Sequence, residues 1–399
     1  MQQLVDSLIA QGLLPAAIQT WAHYLVAMLV FGGIVVFGFA LLVAGVTSWL
    51  ERRVWGRIQS RVGPNRVGPN GALQWLADGI KNMLKEDIIP SAADKPLFRL
   101  APYIVVVGFV PAFVVVPFAS SLIIADLNVG ILYLTAITAL VVVGIIMAGW
   151  ASNNKWSLLG GIRSAAQIVS YEIPAGLSLF PAVLLAGTLS MQGIIRAQGW
   201  APWDWYAFHS PFTFVAFLLF FVSALAEGNR TPFDLPEAES ELVAGFATEY
   251  SGMRNLLFFL VEWGNLYVIG AVVTTLYMGG WQIPAVTGNV VLQQALQFGV
   301  FFLKSYFWVF VAMWIRATLP RVRVDQLMTV CWKYLVPISF VNLGGTAVTM
   351  IIEHAVPAIS FPLRLTVVAA AAVGVMAFFA RVRYQLRRAR PEFYYSPVI

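Results

Sequence analysis

The chain reads as an all-α polytopic membrane protein. We expect about nine transmembrane helices, the N-terminus outside, the C-terminus in the cytoplasm, and one amphipathic helix lying in the interface. Three observations carry that expectation. Of 399 residues, 59% are hydrophobic and 11% charged, with mean hydropathy +0.78, whereas a soluble chain carries about 25% charged residues. Long uncharged runs recur, and about 20 apolar helical residues cross a bilayer core. The basic residues, finally, fall almost entirely on alternate connections.

The runs give the elements in order. Residues 1–23, broken by Gly12 and Pro15, read as an interfacial lead-in; with Asp6 and no basic start they do not resemble a cleaved signal peptide. Uncharged stretches then lie between Asp6 and Glu51 and between Arg99 and Asp126, and over Leu127–Asn154, Ile173–Ile195 and Trp205–Ala226. Trp263–Leu303 is long enough for two helices, and Tyr334–Ile352 and Leu365–Ala380 flank a turn marked by Pro357 and Pro362. The expected helices lie near 24–50, 101–123, 129–151, 164–189, 211–227, 258–279, 296–316, 334–354 and 361–381. They form a single transmembrane domain, 24–381, with inner loops 51–100, 228–257 and 317–333 and a basic tail, 382–399.

Orientation follows from charge. Of the 25 Lys and Arg residues, all but Arg196, Lys304 and Arg364 fall after odd-numbered helices or in the tail. Basic loops stay in the cytoplasm. The net charge of +6 is therefore a topology signal and calls for no nucleic acid. Cys331 is the single cysteine, which excludes an internal disulfide, a Cys-ligated iron–sulfur cluster and a zinc knuckle in this chain. His23, His209 and His354 are too scattered to pair around a haem or metal. Any electrons must arrive from another subunit.

The first inner loop repeats Arg-Val-Gly-Pro-Asn at 61–65 and 66–70, a tight-turn sequence that serves at least as a positive-inside anchor. In Gly71–Glu86, Leu73, Leu76, Ile80, Met83 and Leu84 recur at helical spacing, opposite Gln74, Asp78, Lys81 and Lys85. Such a helix lies in the interface plane, as a spacer or as one lip of a portal for a lipid-soluble molecule.

Carboxylates carry the sharper signal. The second inner loop holds Glu227, Asp234, Glu237, Glu239, Glu241 and Glu249. Asp234 and Glu237 fit the start of a helix at Pro236, on which Glu237, Glu241 and Glu249 would share a face. Glu172 and Glu262 interrupt apolar spans. A charge at the bilayer centre costs about 2.5–3.5 kcal/mol on the most lenient scale, so such acids are functional candidates by default; pairing with Arg163 or Arg254 is the structural alternative. Glu353, beside His354, reads as solvated.

The motifs Glu51-Arg-Arg, the Gly-Pro-Asn repeat, Ala77-Asp78-Gly79, Ser164-Ala-Ala-Gln-Ile-Val-Ser-Tyr-Glu172, Asn229-Arg-Thr-Pro-Phe-Asp-Leu-Pro-Glu-Ala-Glu-Ser-Glu-Leu242 and Pro320-Arg-Val-Arg-Val-Asp-Gln-Leu-Met328 resemble the H-subunit family of bacterial NADH:quinone oxidoreductase, whose mitochondrial counterpart is subunit 1 of respiratory complex I. The resemblance covers roughly 51–333; Ala317 stands where the family has glycine. It implies the membrane half of a quinone chamber, with Arg52, Arg61, Trp75, Asp78, Arg163 and Asp234 as quinone-site residues. It also implies a proton-coupling set of Glu172, Glu227, Glu237, Glu239, Glu241, Glu249 and Glu262. Quinone would be substrate, with no cofactor in this chain. FMN and iron–sulfur clusters would sit in hydrophilic partners on the cytoplasmic face, with small and antiporter-like subunits beside it in the bacterial inner membrane. Two other readings stay open: the equivalent subunit of a hydrogenase-type complex, and a free-standing proton-coupled carrier, against which stands the lack of matching halves.

Overall fold

The computed structural model describes residues 21–235, 239–284, 289–356 and 360–388. The lead-in up to residue 20, Glu237 and the end of the basic tail lie outside the described residues. Among those described, every regular element is helical.

The first apolar run is one helix, α1 (Trp21–Ile58), which continues past the expected end and carries Glu51, Arg52 and Arg53 on its last turns. After a 3₁₀ turn at Pro69–Gly71, the amphipathic segment forms α2 (Gln74–Leu84). Then α3 (Lys95–Phe109) runs into a 3₁₀ turn, Val110–Val114. It starts before the expected residue 101 because Pro96, in its first turn, suits a helix start.

A hairpin follows, α4 (Gly130–Ala151) and α5 (Lys155–Ala186). The Asn154 side chain accepts from Trp156 N–H at 2.9 Å, so α5 begins well ahead of the expected 164. Short α6 (Met191–Ala197) leads to α7 (Pro211–Glu227), opened by a Ser210–Thr213 capping box. A single turn, α8 (Glu239–Leu242), precedes α9 (Gly252–Tyr277). The chain ends in α10 (Val290–Thr318), α11 (Val324–Thr329), a π-helical stretch (Val330–Leu335), α12 (Val336–Ala355) and α13 (Ser360–Arg388).

Six segments are long and apolar enough to cross a membrane: Lys95–Val114, Gly130–Ala151, Lys155–Ala186, Gly252–Tyr277, Val290–Thr318 and Val324–Ala355. Pro211–Glu227 and Pro362–Ala371 are shorter apolar helices. α9 is the most enclosed of the six, buried at every residue from Leu266 to Tyr277. A helix apolar on all sides belongs inside a bundle, and α1, α3, α7 and α10 surround it. This centre holds Glu262 and sets where the functional side chains meet.

Candidate functional site

Charged side chains gather where α1 and α10 end, beside the interior of α9 at Glu262. Arg230 donates from Nη1 to Glu51 Oε1 and Oε2 at 2.9 and 3.1 Å, and its Nε lies 3.1 Å from Glu262 Oε1. Arg316 donates to the same Glu51 carboxylate and stands 4.7 Å from the Trp55 ring. Arg230 is 2% exposed and Glu51 5%. Two guanidiniums facing two carboxylates make the group formally neutral, which lets it stay buried. Asp234 lies half-buried, close enough to Glu262 to repel its charge. The structural alternative for Glu262 therefore holds with a different partner, since Arg254 pairs with Asp87 at 2.9 Å.

Two cavities continue from this network. A small one, about 50 Å³, is lined by Glu262, Glu227, Asn229, Asn255 and Asn265 together with apolar side chains. A larger one, about 550 Å³, lies among α4, α5, α7 and α9 and is lined by Glu172, Glu227, Thr138 and Asn265 within a mostly apolar wall. Glu227 and Asn265 belong to both. Glu262 thus borders the small cavity, Glu172 the larger one, and Glu227 stands between them as a lining residue of both.

The acidic loop is organised differently from the expectation of one helical face. α8 ends at Leu242, Val243 adopts φ 66°, and a 3₁₀ turn at Gly245–Ala247 follows. Glu241 and Glu249 are therefore on separate elements. Glu241 bridges Arg163 at 2.8 Å and Arg321 at 2.6 Å. The hydrogen bond from Arg163, then the two guanidinium charges, hold its carboxyl below the usual carboxylate range. Glu249 accepts from Asn154 Nδ2 at 2.6 Å. Glu239 opens α8, its side chain outside the described residues. The loop is seated on α5 where Gly160 meets Gly245; a methyl group on Gly160 would lie 2.7 Å from Gly245 Cα. Gln167 of α5 holds the loop too, donating to Ala226 O at 2.7 Å and Phe233 O at 2.6 Å.

At the other side of Glu51, Arg52 pairs with Asp78 of α2 at 2.5 Å, and Gln74 donates to Asp78 at 3.0 Å. Trp75 packs its ring on Gly45 of α1, where a β-carbon would come within 2.5 Å of the indole. The apolar side chains Leu73, Leu76, Ile80, Met83 and Leu84 of this amphipathic segment stay exposed, consistent with a lipid-facing surface. Arg61 is exposed in the turn between α1 and α2, where its N–H donates to Gly56 O at 2.7 Å.

The family model described as NADH dehydrogenase matches residues 31–347. The chain belongs to this family. It is 56% identical over 353 residues to the NADH-quinone oxidoreductase H subunit of Anaeromyxobacter dehalogenans, covering 85% of each chain. The H subunit from Dehalococcoides mccartyi (strain CBDB1) is 45% identical over 90% of this chain and 96% of its own. That of Chlorobaculum tepidum is 50% identical over 75% and 86%. The matched residues contain the whole network from Glu51 to Arg316 and both cavity-lining acids.

Sequence reading missed Glu51, Arg230, Arg316, Gln167 and Asn265 as site residues. Charge at the edge of apolar runs, in Glu51-Arg-Arg and Ile315-Arg316, was the available signal, but it read as topology. Glu353 is a correction: its side chain is 15% exposed and lies 3.4 Å from His209 Nε2, so it is packed in a cluster instead of solvated. Among the described residues, no group of His, Cys, Asp and Glu is arranged to hold a metal.

Proposed function

We propose that the chain forms the membrane half of a quinone chamber in NADH-quinone oxidoreductase and couples quinone reduction to proton translocation. Quinone enters along α2, past Arg52, Asp78, Trp75 and Arg61, and takes two electrons from a partner subunit and two protons to become quinol. The changing charge is felt first by the acidic loop, where Arg163, Asp234, Glu237, Glu239, Glu241 and Glu249 stand. It then passes through the Glu51–Arg230–Glu262 network to Glu227 and Glu172. Coupled carboxylates titrate as a set, so displacing one proton shifts the others. The observation that carries this reading is the sharing of Glu227 and Asn265 between two cavities, one bordered by Glu262 and the other by Glu172.

In this reading the chain crosses a bacterial inner membrane nine times, N-terminus outside and basic tail in the cytoplasm. α1, α7 and α13 join the six clear spans. FMN and iron–sulfur clusters sit in hydrophilic subunits over the inner loops, and antiporter-like subunits continue the path beyond Glu172.

The test is purification through a C-terminal tag in mild detergent, followed by NADH oxidation with a short-chain quinone. Co-purified iron–sulfur subunits with quinone-dependent NADH oxidation support the reading. Iron–sulfur partners without NADH activity favour a hydrogenase-type complex, and a stable lone chain favours a carrier.

A further inference from the structure

At the end of α7 opposite Arg230 lies a second polar cluster that the quinone pathway does not use. His209 precedes the α7 cap and is 7% exposed. Its Nε2 lies 3.0 Å from Arg364 Nη2 on α13 and 3.4 Å from Glu353 Oε2 on α12. Arg364 also faces Asp204 Oδ1 at 4.0 Å, and the Tyr206 ring meets the imidazole edge-on at 6.4 Å. Nearby Lys304 is occupied elsewhere, donating to Met278 O at 2.8 Å and Gly280 O at 3.1 Å above the Trp205 ring.

Nε2 has two competing neighbours. Arginine only donates, so its hydrogen bond to Nε2 requires a neutral ring with the proton on Nδ1. A protonated ring has no lone pair there; its Nε2–H donates to Glu353 and its charge repels Arg364. The choice matters because α13 depends on this end. It lies beyond the matched residues 31–347, and its main contacts are with the 3₁₀ turns Pro202–Asp204 and Tyr206–Phe208. Farther along, an apolar cleft of about 930 Å³, lined by Phe214, Phe310, Trp314, Ala370 and Gly374, separates it from α7 and α10. The polar contact at one end therefore does much of the holding.

We propose that His209 is a proton-sensitive clasp for the C-terminal helix: neutral, it anchors α13 through Arg364; protonated, it turns to Glu353 and releases that end.

Burial, and then the Arg364 charge, lower the His209 pKa from 6.5 to about 4 in the docked state. Release of α13 returns the ring toward its ordinary value. The docked form binds fewer protons, so docking is full above pH 6.5 and is lost as pH falls toward 4. With those two values the docking constant falls by up to about 30-fold between pH 8 and pH 5.

Hydrogen–deuterium exchange on the intact purified complex tests this, read on peptides covering 360–371 and corrected for intrinsic exchange. Wild-type protection falls by up to about 30-fold from pH 8 to pH 5. In His209→Gln the amide oxygen accepts from Arg364 without titrating, so protection stays level while quinone reduction at pH 7.5 is unchanged. In Glu353→Gln the protonated ring loses its charged partner and keeps only a neutral amide oxygen, and the fall moves to lower pH. A flat wild-type profile, or the same fall in His209→Gln, overturns the proposal. If His209→Gln does not assemble, an unchanged profile in Glu353→Gln overturns it alone.

Discussion

Glu51 and Glu172 each interrupt an apolar helix, and the fold treats them in opposite ways. Glu51 is clamped by Arg230 and Arg316. Glu172 faces a largely apolar cavity with Glu227 as its charged neighbour, and among the described residues neither has a cation at ion-pair distance. A paired carboxylate is held in one protonation state and one place. An unpaired one beside space for water is free to exchange its proton. The difference separates positioning charges from candidate carriers, and Glu262, paired to Arg230 yet lining the small cavity, belongs to both sets.

The largest effect should come from breaking the clamp. Arg230→Ala leaves Glu51 and Glu262 facing each other without their shared cation, and removing one partner of a buried pair typically costs about 3–5 kcal/mol. We expect loss of assembled complex from membranes, measured by native gel and immunoblot. Normal assembly would show that Arg316 alone suffices, and the clamp would lose its distinction from the carrier acids.

Glu172→Gln should show the reverse pattern: normal assembly, with coupled quinone reduction and proton pumping lowered on the order of 10²-fold, the scale of losing a placed acid–base group. NADH oxidation with an artificial soluble acceptor should persist. Normal pumping in both Glu172→Gln and Glu227→Gln would remove these residues from the path.

The same contrast explains what the sequence could disclose. Hydropathy alone placed α4 and α7, because they are apolar runs between turn residues and were expected at 129–151 and 211–227, close to Gly130–Ala151 and Pro211–Glu227. Glu172 was legible for the same reason, as a charge inside such a run. The clamp was not: Arg230 and Glu51 are 179 residues apart, and each stands at a run's edge, where charges are ordinary. The acidic loop misled because helical spacing was assumed through Val243, whose positive φ ends the helix. Arg364 counted only as an exception to the charge pattern; the structure gives it partners in His209 and Asp204.

A third test addresses the α2 side of the clamp. In Gly45→Val the β-carbon meets the Trp75 ring at 2.5 Å, and overpacking of this kind costs about 1–3 kcal/mol. α2 should shift away from α1, raising the quinone KM while electron transfer to an artificial soluble acceptor is retained. Equal loss of both would indicate failed docking of the electron-input subunits.

The smallest effect on stability belongs to Glu241. It is paired to two arginines, but its side chain is 49% exposed, and exposed pairs contribute under about 1 kcal/mol once water and salt screen them. Glu241→Gln should therefore assemble normally and lower coupled turnover less than Glu172→Gln does. Because Arg163 and then Arg321 hold the Glu241 carboxyl below its ordinary 4.5, the wild type's small advantage is present above pH 4.5 and fades as the pH falls through the lowered value. Thermal unfolding of both proteins across that range measures it. If Glu241→Gln instead abolishes pumping as fully as Glu172→Gln, then pairing does not distinguish positioning acids from carriers, and the acidic loop takes part in proton transfer itself.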